Sequence, residues 1–194
     1  MSENTKLVII GDGAFAQVAT EYFREDSNYE VAGFAVERDY LRKAELLGLP
    51  IVALEDVETI FPPTDHDAFA AITYIGLNRL RTRLAAMAKA KGYRLASFIS
   101  GHARIAKSAR LGEHCFIFED NVVQPYVTLG DNVVLWSGNH IGHHSEIGDN
   151  CFISSHVVVS GYCDIGTSCF FGVNAAIANN LSVAKDCWIG PGVV

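Results

Sequence analysis

The side chains best suited to chemistry crowd into one octapeptide, Asn139-His140-Ile141-Gly142-His143-His144-Ser145-Glu146. Imidazole titrates near neutral pH, so a histidine within reach of a nucleophile's proton can serve as a general base. His143 and His144 are adjacent, and Glu146 and Asp149 follow as candidate orienting carboxylates. The plain alternative for each ring is an ordinary exposed histidine. A zinc site would have to draw on His140, His143, His144 and His156. Zinc needs three or four converging ligands, and this spacing does not look like such a set, so no metal is expected.

A second patch suits phosphate rather than proton transfer. Gly11-Asp12-Gly13-x-x-Ala16 follows the apolar run Lys6 to Ile10 and opens a helical stretch. Glycine there lets backbone approach a phosphate, and a helix N-terminus favours negative charge. Glu37, just past a second apolar run, could accept from a ribose or a base. Gly76-Leu77-Asn78-Arg79-Leu80-Arg81 ends a later strand at the same expected sheet edge, where ligands bind in open parallel sheets. Arg79 or Arg81 could meet a diphosphate there. The competing readings are a tight turn at Gly11, a solvated loop at Glu37-Arg38-Asp39 and surface arginines.

The histidine cluster sits inside a strict repeat. From Ile105 every sixth residue is large and apolar: Ile105, Leu111, Ile117, Val123, Leu129, Leu135, Ile141 and onward to Ile189. The second place is often glycine (Gly112, Gly130, Gly142, Gly148, Gly166, Gly172, Gly190), and the fifth is mostly small. Neither a helix period of 3.6 nor a strand period of 2 produces this; a parallel β-helix of hexapeptides does. Three hexads make one eighteen-residue coil, so residues 105–194 make five coils. Places one and five point into a narrow prism, places three and four lie at turns, and equivalent residues stack about 4.8 Å apart. Asn121 and Asn139, both at place five and eighteen apart, are expected to form a buried amide ladder. All five cysteines (Cys115, Cys151, Cys163, Cys169, Cys187) also occupy place five, which reads as small buried packing rather than metal or redox chemistry. No CxxC occurs, and the odd count speaks against a disulfide framework. The repeat runs to Val194 with no capping segment, so the last coil is expected to be covered by something further.

Residues before about 100 alternate differently. Strands are predicted at Lys6 to Ile10, Tyr29 to Val36, Pro50 to Val52, Asp67 to Ile75 and Arg94 to Ile99, with a helix after Gly11-Asp12-Gly13-Ala14 through about Glu25 and further helices at Leu54 to Phe61 and Leu77 to Lys91. That order implies an open parallel sheet, hence an α/β Rossmann-like domain over 1–101 followed by a β-helix domain over 102–194. The net charge of −7 over 194 residues makes nucleic acid or an anionic membrane an unsuitable partner. No apolar run approaches a membrane span, and MSENTK is no signal peptide, which reads as a cytoplasmic protein.

In the order of these parts, with Gly11-x-Gly13, Ile75-Gly76-x-Asn78 and His-x-x-x-Ile-Gly, the chain resembles the bacterial sugar acyltransferases of the sialic acid O-acetyltransferase-like family. That family includes nucleotide-linked amino-sugar N-acetyltransferases. The resemblance implies a left-handed coil, where the usual crossover rule gives the opposite hand. It also implies a homotrimer, acetyl-CoA in the groove between adjacent coils, and a nucleotide-linked amino sugar as acceptor. The family's catalytic base falls on His143, and the place of the acidic residue that often follows it falls on His144. Its Gly-His near the first turn falls on Ala14-Phe15, and a further histidine that touches acetyl-CoA falls on Phe152. Gly11, Gly13, Gly76 and Asn78 match the substrate side; Gly172 and Val173, with Pro191, match the coenzyme side. The expected activity is N-acetylation of a nucleotide-linked deoxy amino sugar for surface glycan synthesis. O-acetylation on the same architecture and simple nucleotide-sugar binding are the alternatives.

Overall fold

A computed structural model describes residues 5–194. Two compact units divide the chain: one runs to Thr73 and adds Leu80–Ala96, and the other joins Tyr74–Arg79 to Ser97–Val194.

The first unit is built on a sheet of β1 (Thr5–Ile10), β2 (Tyr29–Val36), β3 (Glu45–Leu46), β4 (Leu49–Ala53) and β5 (His66–Ala70), in the order β3-β4-β2-β1-β5. All neighbours are parallel except the β3–β4 hairpin. Between them lie α1 (Ala14–Glu25), the single turn α2 (Val57–Ile60) and α3 (Arg79–Ala90). Strand alternation sorts β1 by face. Val8 and Ile10 join Leu54, Val57, Phe61, Leu84 and Ala88 in one core. Phe69 takes Phe15 and Phe23 edge-on in another aromatic cluster, at 6.2 and 5.3 Å. The fifth strand expected at Arg94 to Ile99 does not form in this sheet. Leu95 makes one isolated bridge to Ala68, and Phe98–Ile99 pairs instead with Phe116–Ile117 of the second unit. A strand too short to cover one sheet edge serves better as the first rung of a ladder whose partner repeats its spacing.

The second unit is the expected coil. Each two-residue strand pairs in parallel with the strand eighteen residues on, as Val123 with Ile141 and Ile141 with Val159. The rungs form three sheets, two of five strands and one of six, the sixth being Phe98–Ile99. Place-one residues from Ile117 to Ile177 fill a single buried core. The second-place glycines have a steric cause. A Cβ on Gly130, Gly166 or Gly172 would stand 2.7, 2.4 or 2.5 Å from a backbone nitrogen of the next coil. Gly190, in the last coil, has nothing nearer than Val193 at 3.7 Å. Place four is left-handed in every hexad from Leu111 to Ile189, with φ of 57–64° at all the non-glycine residues there. Asn, Asp and His tolerate that region best, and several of these positions carry them.

Place five is a hydrogen-bonding post as well as a small one. Cys115, Cys151, Cys163 and Cys169 each aim a thiol at the carbonyl fifteen residues on, at 3.2–3.3 Å. Ser145 Oγ does the same to Ser160 at 2.8 Å. The Cys169 sulfur and burial together hold the Cys151 thiol above its ordinary range. The expected Asn121–Asn139 ladder is not formed. Asn121 Nδ2 donates to the carbonyls of Phe118 and Trp136, each at 2.9 Å. Asn139 Nδ2 donates to Trp136 and its Oδ1 accepts from the Val157 amide at 2.8 Å. A short side chain at the prism corner reaches turn backbone before it reaches its counterpart one coil away.

Candidate active site

His143 and His144 stand at places three and four of the hexad led by Ile141, and both are exposed. The His143 amide donates to Gln124 Oε1 at 2.9 Å, and the His144 amide to the Pro125 carbonyl at 3.2 Å. The preceding coil thus fixes the backbone of both. Their rings cross at 87°, with Nδ1 of one 3.1 Å from Nδ1 of the other. His144 lies between Tyr126 and Tyr162, at 4.8 and 4.9 Å, nearly parallel to Tyr162 at 12°. His143 stands edge-on to Tyr162 at 5.1 Å. Its ring rests over Gly161: a Cβ there would be 2.9 Å from Cε1 and 3.1 Å from Nε2. A side chain at 161 would collide with the ring, so glycine there is what leaves room for His143. Glu146 and Asp149 form no ion pair with either ring among the described residues; the group beside His143 Nδ1 is His144.

Gln124, Tyr126, Gly161 and Tyr162 escaped the sequence reading. The signal was present, since Tyr126, His144 and Tyr162 are eighteen apart at place four. Histidines at turns were expected to point outward, and His114 corrects that. It is 1 % exposed, with Nδ1 2.7 Å from Asn132 Oδ1.

The other expected site residues separate. Gly11, with φ of 117°, packs so closely that a Cβ would stand 3.0 Å from the Ala71 carbonyl. Gly13 caps α1 with no side-chain hydrogen bond and nothing within 4 Å of a would-be Cβ, and Ala14 beside it is exposed. The start of α1 is thus open backbone. Phe15 is instead core, 3 % exposed against Phe69, because the second helical position turns inward. Glu37 is engaged by Arg83 through two bonds of 2.7 and 2.8 Å, which hold its carboxyl below the usual range. Arg81 is fully buried, its Nε on the Ala70 carbonyl at 3.1 Å and its guanidinium 5.5 Å from the Phe69 ring. Arg79 pairs with Asp186 at 3.0 Å.

Gly76, Leu77 and Asn78 form a left-handed turn with φ of 61, 52 and 64°. Asn78 is 1 % exposed and donates to the Asn150 carbonyl at 2.5 Å, so it anchors this turn to the coil. Phe152, placed by the resemblance on the coenzyme side, is 2 % exposed. It lies in an aromatic stack with Tyr74, Trp136 and Phe170 at 5.3, 6.3 and 6.0 Å. Gly172 gives its amide to Ile189 at 2.8 Å, while Val173 and Pro191 are exposed. Among the described residues no group of three or more His, Cys, Asp or Glu is placed to hold a metal, and no helix is long and apolar enough to cross a membrane.

Residues 126–161 match the bacterial transferase hexapeptide (six repeats). No curated protein matches the sequence significantly. Among solved structures, the acetyltransferase domain of PglB from Neisseria gonorrhoeae FA1090 is similar with 25 % identity and a TM-score of 0.85, over 98 % of this chain and 91 % of that one. It has also been solved with acetyl coenzyme A. PerB from Caulobacter crescentus, in complex with CoA and GDP-perosamine, is 27 % identical with a TM-score of 0.86, over 97 % of this chain and 88 % of that one. WeeI from Acinetobacter baumannii AYE, 18 % identical with a TM-score of 0.62 over 97 % and 95 %, shares the fold. Residues 126–161 carry the transferase hexapeptide repeat, and the chain as a whole is similar in structure to these acetyltransferases. The chain is an enzyme of the acyltransferase kind.

Proposed function

We propose that this enzyme is an acetyl-CoA-dependent N-acetyltransferase whose acceptor is the amino group of a nucleotide-linked deoxy amino sugar. The observation that carries the reading is His143: an exposed imidazole with its backbone fixed by Gln124 and its ring seated where Gly161 leaves room for it. The likeness to PglB and PerB points to the co-substrate and to the class of acceptor.

His143 Nε2 takes the proton from the amine as nitrogen attacks the thioester carbonyl. The C–N bond forms, the C–S bond breaks, and the coenzyme leaves as its thiol once protonated. A general base of this kind contributes roughly 10²–10⁴-fold. In the first unit, the open backbone at Gly13 and Ala14 suits an anionic diphosphate, since helix N-termini favour negative charge. Glu37 and Phe15 have other tasks. On the coil, Gly172, Val173 and Pro191 offer an uncharged edge for the coenzyme. Phe152, buried under Tyr74, does not.

We take the coil to be left-handed and the working form to be a cytoplasmic homotrimer, because a base on an outer corner needs a second wall. The expected use is surface glycan synthesis. Thermal-shift and free-thiol assays against UDP-, GDP-, dTDP- and CDP-linked amino sugars test the reading. At least one should raise Tm and release free CoA from acetyl-CoA. Release with none, or a monomeric mass by light scattering at micromolar concentration, would overturn it.

A further inference from the structure

The neighbour of His143 Nδ1 is an imidazole, and that imidazole is stacked between two tyrosines. Two ring nitrogens 3.1 Å apart share one hydrogen: two bare lone pairs repel, and two N–H groups clash. If His144 donates, His143 carries its hydrogen on Nε2 and has no lone pair on the edge above Gly161. If His143 donates, Nε2 is the free base. The second arrangement is the one that a base at Nε2 requires. His144 is stacked between Tyr126 and Tyr162, with its backbone at φ of 58° and its amide on Pro125.

We propose that His144 is a positioning residue that accepts the Nδ1 hydrogen of His143, and that the Tyr126–Tyr162 clamp replaces the rigidity a carboxylate pair would give. This rests on His143 being the base of the acyl transfer proposed above. The other neighbours do not take over the role. Gln124 is neutral and already holds the His143 amide. Tyr126 and Tyr162 face His144 with their rings. Glu146 and Asp164 stand opposite each other in register on adjoining strands and form no ion pair with either histidine among the described residues. A carboxylate in its place would add a negative charge beside the imidazolium formed in turnover and favour it.

Three variants test this, each read by ring-nitrogen NMR without substrate and by the pH profile of kcat. Wild type should show His143 as the Nδ1–H tautomer. His144→Phe keeps a stacking ring and removes the acceptor; His143 should revert towards Nε2–H, and kcat should fall about tenfold with little change in KM. His144→Asn keeps a neutral acceptor and tolerates the left-handed backbone, and should restore much of the loss. His144→Asp should move the acid limb of kcat to higher pH by about one unit. An Nε2–H tautomer in wild type, or a His144→Phe enzyme with wild-type tautomer and kcat, overturns the proposal. The tautomer is read without turnover, so an Nδ1–H signature in a protein that acetylates no amine would leave the pair standing and fail the acyl-transfer reading instead.

Discussion

The corner carrying His114, Asn132 and Asn150 and the corner carrying Tyr126, His144 and Tyr162 share one backbone. All six residues stand at place four with φ of 58–64°. At the first corner, His114 meets Asn132 at 2.7 Å and Asn132 donates to Asn150 Oδ1 at 2.7 Å. Both His114 and Asn132 are buried. At the second, His144 stacks on Tyr162 and tilts against Tyr126, while Tyr126 and Tyr162 stay 62 % and 54 % exposed. The same repeat therefore makes a sealed polar ladder and an open aromatic one. A histidine whose nitrogen is committed inside the fold is a strut. A histidine beside a stack, exposed and with one nitrogen tied, is available for proton transfer.

Substitutions at the two corners should separate those roles. His143→Ala should lower kcat by about 10²–10⁴-fold, the usual contribution of a general base, with little change in Tm or in nucleotide-sugar binding. Gly161→Ala should cost up to about 10²-fold in kcat, because displacing a reacting group by roughly 1 Å costs that much. Its Cβ meets only the far end of the His143 side chain, so melting should barely change. At the sealed corner Asn132→Ala should do the reverse. It leaves His114 and Asn150 short of a buried partner and should cost about 1–3 kcal/mol of stability by denaturant titration, while kcat per folded molecule holds. A matched glycine pair gives the smallest contrast. Gly166→Ala overpacks against Lys185 backbone and should cost about 1–3 kcal/mol, whereas Gly190→Ala, whose Cβ would meet nothing nearer than Val193 at 3.7 Å, should stay within about 0.5 kcal/mol. Equal losses from both glycine variants would contradict the steric account of place two.

Much of the coil was legible because its signal is geometric. The prism repeats every six residues, so Ile105 to Ile189 announce it. What the pattern hides is direction. It cannot say that Asn121 and Asn139 turn to backbone, or that place-five thiols and hydroxyls serve the carbonyl fifteen residues on. Nor does it distinguish His114, closed by Asn132, from His144, opened by tyrosines. The first unit was legible in β1, α1 and β2, where apolar runs are long. It failed at Arg94 to Ile99, a short run that two ladders could claim. Glu37, Arg81 and Phe15 were placed by sequence position alone, and position does not reveal that Arg83, Phe69 and the core already occupy them.

The most direct test is the chemistry of the product. The enzyme should be given acetyl-CoA and the nucleotide-linked amino sugar that raises its Tm most, and the acetylated product isolated and treated with mild alkali. N-acetyl transfer through His143 predicts an alkali-stable amide, formed by wild type and almost absent with His143→Ala. An alkali-labile ester, or the same amide formed at wild-type rate by His143→Ala, would contradict it.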